Sequence, residues 1–204
     1  MKIQLIDINE SVCKAWEHAF KDVENVSVHN CDLFALPTDC VVSAANSFGF
    51  MDGGVDAVIS RRLPGIQDKV QARLKEKYRG ELVVGRAMLV ATKDKEIPYL
   101  ISAPTMRYPK IIANTENVYL AAKAMFYIMK FMNKFESNRG KDIVFTVPGL
   151  GTSTGRVMPD IATAQMRHAY NEVFNGVEFP KSWKDVKMRT QVMFKKYEHT
   201  SNSK

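Results

Sequence analysis

Short apolar runs alternate with longer amphipathic ones from the first residues to about position 175, the pattern of an α/β domain. Residues 2–8 read as a first strand. Residues 10–21 read as a helix with Val12, Ala15, Trp16, Ala19 and Phe20 turned inward, and residues 26–30 as a second strand. Residues 38–44 are almost uninterrupted in apolar character, as in a strand covered on both faces. A short helix is expected over 55–61 and a longer one over 64–78, with Pro64 at its first position. Strands follow at 82–91 and 98–103, joined by the charged turn Lys93-Asp94-Lys95-Glu96. In residues 115–135, Val118, Ala121, Ala122, Met125, Met129 and Met132 recur every three or four positions, so the methionines read as core fillers of a helix. A last buried strand is expected at 142–148 and a last helix at 159–174, with Pro159 in its first turn.

After residue 175 the rhythm breaks. Residues 1–175 read as one domain. Residues 176–204 read as a basic extension, partly docked through Trp183, Val186, Val192 and Phe194 and frayed over 200–204. A 204-residue chain with 46% apolar and 25% charged residues is globular in composition and long enough for its own core. Asp7 interrupts the amino-terminal apolar stretch, and Lys123 and Lys130 interrupt the longest one. Neither a signal peptide nor a spanning helix is expected, and no membrane partner. Cys13, Cys31 and Cys40 are odd in number, lack C-x-x-C spacing and have only four scattered histidines beside them. A disulfide framework and a metal cluster are therefore disfavoured, and a reducing cytoplasmic setting is expected, the host's if the chain is phage-encoded.

The net charge of +7 sits mostly in the last 24 residues, where seven Lys/Arg face Asp185 and Glu198. A second basic run, residues 61–79, sets Arg61, Arg62, Lys69, Arg73, Lys75, Lys77 and Arg79 against Asp68 and Glu76. Such runs are ordinarily solvated faces. A nucleic-acid-associated module is an alternative, but nucleic acid is the less favoured partner.

Two loops carry the candidate chemistry, since each follows a buried strand and precedes a helix. One runs from Ala44 to Asp56 and contains Asn46, Gly53 and Gly54; the other is Pro148-Gly149-Leu150-Gly151-Thr152-Ser153-Thr154-Gly155. In an open α/β sheet both would lie at the carboxyl ends of the strands, where ligands bind. Glycines let backbone N–H groups approach an anion, and a helix N-terminus adds a favourable partial charge, so the pair suits a diphosphate. The G-x-x-x-x-G-K-[ST] phosphate loop is missing. The second loop reads G-x-G-x-x-x-G after the last strand, which fits poorly with a dinucleotide fingerprint.

Asn30-Cys31-Asp32-Leu33-Phe34, the run from Asp39 to Ser47, Gly53-Gly54-Val55-Asp56-Ala57-Val58-Ile59 and the loop from Gly149 to Gly155 resemble, in order, the motifs of macro domains, which bind ADP-ribose. Residues 103–107 and 165–170 are similar to a bacterial and phage branch that processes ADP-ribose 1″-phosphate. The resemblance implies a three-layer α/β/α sandwich around a mixed, mostly parallel sheet. It implies adenine held by Asp32 beside Leu33, the distal ribose by Asn46 beside Ala45, and phosphates cradled by Gly53, Gly54, Val55, Gly149, Gly151, Thr152, Ser153, Thr154 and Gly155. Thr105, Arg156 and Val157 complete the implied ligand contacts, and Asn46 and Asp56 are the implied catalytic residues, Asp56 activating or orienting water. No cofactor is implied. Each role has a plainer rival: Asp32 and Asn46 also suit turns, and Asp56 also suits a helix first turn.

Asp52 stands where hydrolytic relatives carry glycine, Ser60 where many carry histidine, and Arg156-Val157 where an aromatic residue covers the ribose. Phe48, Phe50 or Tyr108 could replace that aromatic. The leading expectation is a binder of ADP-ribose that hydrolyses a substituent on its distal ribose, whether a protein ester link, an O-acyl group or a 1″-phosphate. An ADP-ribosylated protein is then a candidate partner. The alternative is a sponge or sensor that binds without turnover.

Overall fold

The computed structural model describes residues 1–137, 140 and 142–197. Six strands form one sheet: β1 (Lys2–Ile6), β2 (Val26–His29), β3 (Cys40–Ser43), β4 (Met88–Ala91), β5 (Tyr99–Ser102) and β6 (Val144–Val147). Their spatial order is β2-β1-β6-β3-β5-β4, parallel throughout except that β4 runs antiparallel to β5 on the edge. The helices are α1 (Glu10–Phe20), α2 (Gly54–Arg62), α3 (Ile66–Tyr78), α4 (Asn117–Ser137), α5 (Pro159–Tyr170) and α6 (Trp183–Val192).

Alternation along the strands builds two cores on opposite faces of the sheet. Ile3, Leu5, Cys40, Val42, Ile101, Phe145 and Val147 face α1, α4 and α5. Val41, Leu100, Met88 and Val90 face α2 and α3. The molecule is thus the three-layer α/β/α sandwich with a mixed, mostly parallel sheet that the resemblance implied.

Caps explain several boundaries. The Asn9 side chain accepts from Ser11 N and starts α1, and Pro159 opens α5. Gln165, fully buried on α5, accepts from Tyr119 N and donates to Thr115 O, which ties α5 to the start of α4. Asn117 in turn donates to Thr105 O, so the position of Thr105 follows from that of α4.

Some elements are shorter than the apolar pattern suggests. The first strand ends at Ile6, and Ile8 is 80% exposed at a rim of the sheet. Of residues 82–91 only Met88–Ala91 form a strand, because Arg86 N turns back to Val83 O and Gly85 takes φ +92°. Leu82 is nonetheless buried, which is why its apolar signal resembled that of a strand. The helix expected from Pro64 starts at Ile66, after Gly65 in a left-handed conformation. Helix α5 closes in a π-helical turn, Asn171–Asn175, rather than running to 174.

Of the residues expected to dock the extension, Val186 and Phe194 are half-buried, and the rest of the contact falls elsewhere. Met193 is buried and the Arg167 guanidinium stacks 5.4 Å from the Tyr197 ring, while Trp183 is 81% exposed and Val192 is exposed. The fraying expected over 200–204 lies outside the described residues.

Candidate functional site

Because β2, β1, β6, β3 and β5 are parallel, their carboxyl ends share one rim. The loops leaving that rim enclose a cleft of about 400 Å³. The loop after β6 occupies the middle. Asp7, Ile8, Cys31, Asp32 and Leu33, from the ends of β1 and β2, wall one end. The β3–α2 loop and Thr105 and Met106, beyond β5, wall the other.

Sheet-like bonding continues past β3 and β5 and fixes the start of the β3–α2 loop. Ala103 N donates to Ser43 O, Thr105 N to Ala45 O and Ser47 N to Arg107 O. The Asn46 side chain then clamps its own loop. Its Oδ1 accepts from Phe48 N and Phe50 N, and its Nδ2 donates to Phe50 O at 2.7 Å. Helix α3 supports the same loop, with Gln67 Oε1 accepting from Met51 N. Gly49, at φ +68°, lies so close to α3 that a Cβ would stand 2.6 Å from Val70 Cγ1.

The glycines give the cleft its donors. Gly53 caps α2 without a side-chain hydrogen bond, so no cap side chain occupies the N–H groups of the first turn, whose residues Gly54, Val55 and Asp56 line the cleft. In the loop after β6, the N–H groups from Leu150 to Gly155 donate to no backbone carbonyl among the described residues. The loop holds its shape through Val157 N to Gly151 O and Arg156 N to Ser153 O. It is also tightly packed: a Cβ on Gly155 would lie 2.5 Å from Gly151 O, and one on Gly149 would lie 2.5 Å from Asp7 Oδ2. Thr105 adds a buried hydroxyl, in the cleft wall, that lacks a hydrogen-bond partner among the described residues.

Asp56 sits in the first turn of α2, 6% exposed, and its Oδ1 accepts from Ser43 Oγ at 2.6 Å. Burial raises its pKa to about 6. The nearby Asp52 charge pushes in the same direction, and the Ser43 hydroxyl opposes both. Asp52 itself is exposed at the cleft edge. At the other end, Asp32 Oδ1 accepts from Phe34 N and closes the turn after β2. Asp7 Oδ1 accepts from Asn9 N, and the Asp7 carbonyl is held by Cys13 and Asn30. The described lining residues include four aspartates and no Lys, Arg or His.

The structure brings together Asp32, Leu33, Ala45, Asn46, Gly53, Gly54, Val55, Asp56, Thr105, Gly149, Gly151, Thr152, Ser153, Thr154 and Gly155. It leaves out two of the expected ligand contacts. Val157 is buried in the core beneath the loop, and Arg156, at φ +52°, is exposed outside the cleft wall. Of the candidate aromatic covers, only Phe50 lines the cleft. Phe48 lies under the Arg107 guanidinium, which Glu81 also holds, and Tyr108 is exposed elsewhere. Asp7, Ile8, Cys31 and Met106 were missed, although Asp7 and Ile8 follow a parallel strand just as the recognised loops do.

The basic run over 61–79 is partly neutralised: Arg62 pairs with Asp94 and Glu96, and Lys77 with Glu76. Among the described residues no helix is long and apolar enough to cross a membrane.

The sequence profile of the macro domain family matches residues 42–166, which spans both glycine loops. A curated relative from Aquifex aeolicus, an uncharacterized protein, is 28% identical over 142 residues, covering 70% of this chain and 78% of its own length. Among solved structures, the Oceanobacillus iheyensis macrodomain with ADP is similar at TM-score 0.56 and 17% identity, over 80% of this chain and 86% of that one. Thermosipho africanus DarTG in complex with ADP-ribose is similar at TM-score 0.51 and 15% identity, over 94% of this chain and 57% of that one.

Proposed function

Since the chain belongs to the macro domain family, we propose that it binds ADP-ribose in this cleft and hydrolyses a substituent on the distal ribose, with Asp56 as the base. One observation carries the reading: two glycine-bearing loops from neighbouring strands converge, with uncommitted backbone N–H groups, around a hollow of ligand size. A diphosphate over the loop after β6 would meet those donors and the N-terminus of α2. It needs them, because the described wall offers no cationic side chain. Adenine would then lie toward Asp7 and Asp32, and the distal ribose toward Asn46, Thr105 and Asp56. That solved neighbours of the same fold hold ADP and ADP-ribose supports the ligand class.

For turnover, Asp56 has the attributes of a general base. It is shielded, oriented by Ser43 through one oxygen, and has a pKa of about 6, close to working pH. It would take a proton from water as the water oxygen bonds to the anomeric or ester carbon; the bond from that carbon to the substituent would break, and Asp56 would return the proton to the departing group. An ADP-ribosylated protein is the carrier such chemistry would serve.

A second reading, binding without turnover, is favoured by the commitments of Asn46. Both of its functional groups already clamp the loop, leaving one N–H for a ribose. Calorimetry with ADP-ribose, AMP and NAD, followed by product analysis on an ester-linked ADP-ribosylated protein, separates the two. The expected outcome is preference for ADP-ribose and release of free ADP-ribose. Binding with no product on prolonged incubation selects the sponge, and no binding of ADP-ribose refutes both.

A further inference from the structure

Resting on that placement of ADP-ribose, we propose that Asp52 makes the cleft select a distal-ribose substituent that is positively charged, a guanidinium or ammonium on a polypeptide, and reject a terminal phosphate. Asp52 immediately precedes Gly53, the cap of α2, and its carboxylate is exposed at the cleft edge with no ion pair among the described residues. It stands on the wall that also carries Asn46 and Asp56, opposite the end formed by Asp7 and Asp32.

The two arginines within reach by sequence are engaged or turned away. Arg107 is held by Glu81 and Phe48, and Arg156 lies outside the wall. Backbone N–H groups of the loop after β6 and of the first turn of α2 can offset the diphosphate, but no Lys, Arg or His of the described wall remains to offset a further phosphate beside Asp52. A dianion placed there meets Asp52 and, above its pKa, Asp56 as well. A cation placed there meets the exposed Asp52 carboxylate and, above its pKa, is also attracted by the buried charge of Asp56. The rim beside it offers apolar contact for the carrier chain, since Phe50 lines the cleft and is 53% exposed.

The test is calorimetric binding of ADP-ribose, ADP-ribose 1″-phosphate and ADP-ribosyl-arginine to the wild type and to Asp52→Asn, at low and high salt. The wild type should bind ADP-ribosyl-arginine about tenfold or more tightly than the 1″-phosphate. Asp52→Asn should narrow that gap by about three- to tenfold, and salt should narrow it in the wild type more than in the variant. Thermal melting reports whether the variant is folded, and Asp52→Ala serves if it is not. An unchanged ranking in a folded variant overturns the proposal. So does a rise in wild-type affinity for the 1″-phosphate on adding Mg²⁺, which would make the carboxylates partners of a bridging cation. Failure to bind ADP-ribose itself is a different result, which overturns the cleft assignment and this inference with it.

Discussion

Replacing Asp56 by Asn should make the protein lose part of its pH dependence of stability. An ordinary aspartate at 3.8 that rises to about 6 on folding must bind a proton more tightly in the folded state. The sign follows: between those two values the folded chain holds more protons than the unfolded one, so stability falls as pH rises. Full ionisation costs the fold about 3 kcal/mol, the separation of the two values multiplied by about 1.4 kcal/mol per unit. Of this, about 2 kcal/mol develops between pH 4.5 and pH 7.5. Asn has nearly the same shape and can still accept from Ser43 Oγ, and any cost of its buried amide does not vary with pH. Denaturant unfolding of both proteins at the two pH values therefore isolates the titration. The stability of Asp56→Asn relative to the wild type should improve by about 2 kcal/mol from pH 4.5 to pH 7.5. A constant difference, or one that worsens with pH, would mean that Asp56 is not a buried carboxylate held above its ordinary range.

The Ser43 hydroxyl stabilises the charged form of Asp56, so Ser43→Ala should move the acid limb of any hydrolytic pH–rate profile upward by about one unit or more, a hydrogen bond to a charged group being worth about 1.5–3 kcal/mol. A limb that stays in place or moves down separates Asp56 from the rate. Gly155→Ala drives a methyl group against Gly151 O and should weaken ADP-ribose binding at least tenfold by calorimetry while costing about 1–3 kcal/mol of stability. Unaltered affinity would place the ligand elsewhere. Arg167, buried under Phe20, Tyr170 and Tyr197, makes two hydrogen bonds to Asp22 at 3.0 and 2.9 Å. Arg167→Ala should cost about 2–3 kcal/mol in denaturant unfolding without altering ADP-ribose affinity, since this network lies outside the cleft wall.

Chain order and local pattern were enough for much of this molecule. The alternation of Cys40, Val41 and Val42 is a statement about two faces, and both faces are covered. The sites of the two glycine loops follow from the same logic, because a loop after a parallel strand must emerge at the strand's carboxyl end. Where reading failed, the reason was a long-range contact. Leu82 is apolar because the loop it sits in packs against the core, with Gly85 the one local sign of a turn, and Val157 because it supports the loop after β6, where nothing local separates it from a ligand residue.

The sequence by itself thus determined the layered α/β plan, the two loops and the acid on the first turn of α2, since each is written in residues that neighbour one another along the chain. Only the tertiary structure decided that β6 lies between β1 and β3, which carries Asp7 to the same cleft as Asn46. It also decided that Asn46 spends its amide on its own loop and that Asp56 loses water and gains Ser43 as a partner. Strand order and desolvation are properties of the packed chain: they depend on which distant segments exclude solvent together, and no stretch of neighbouring residues encodes them alone.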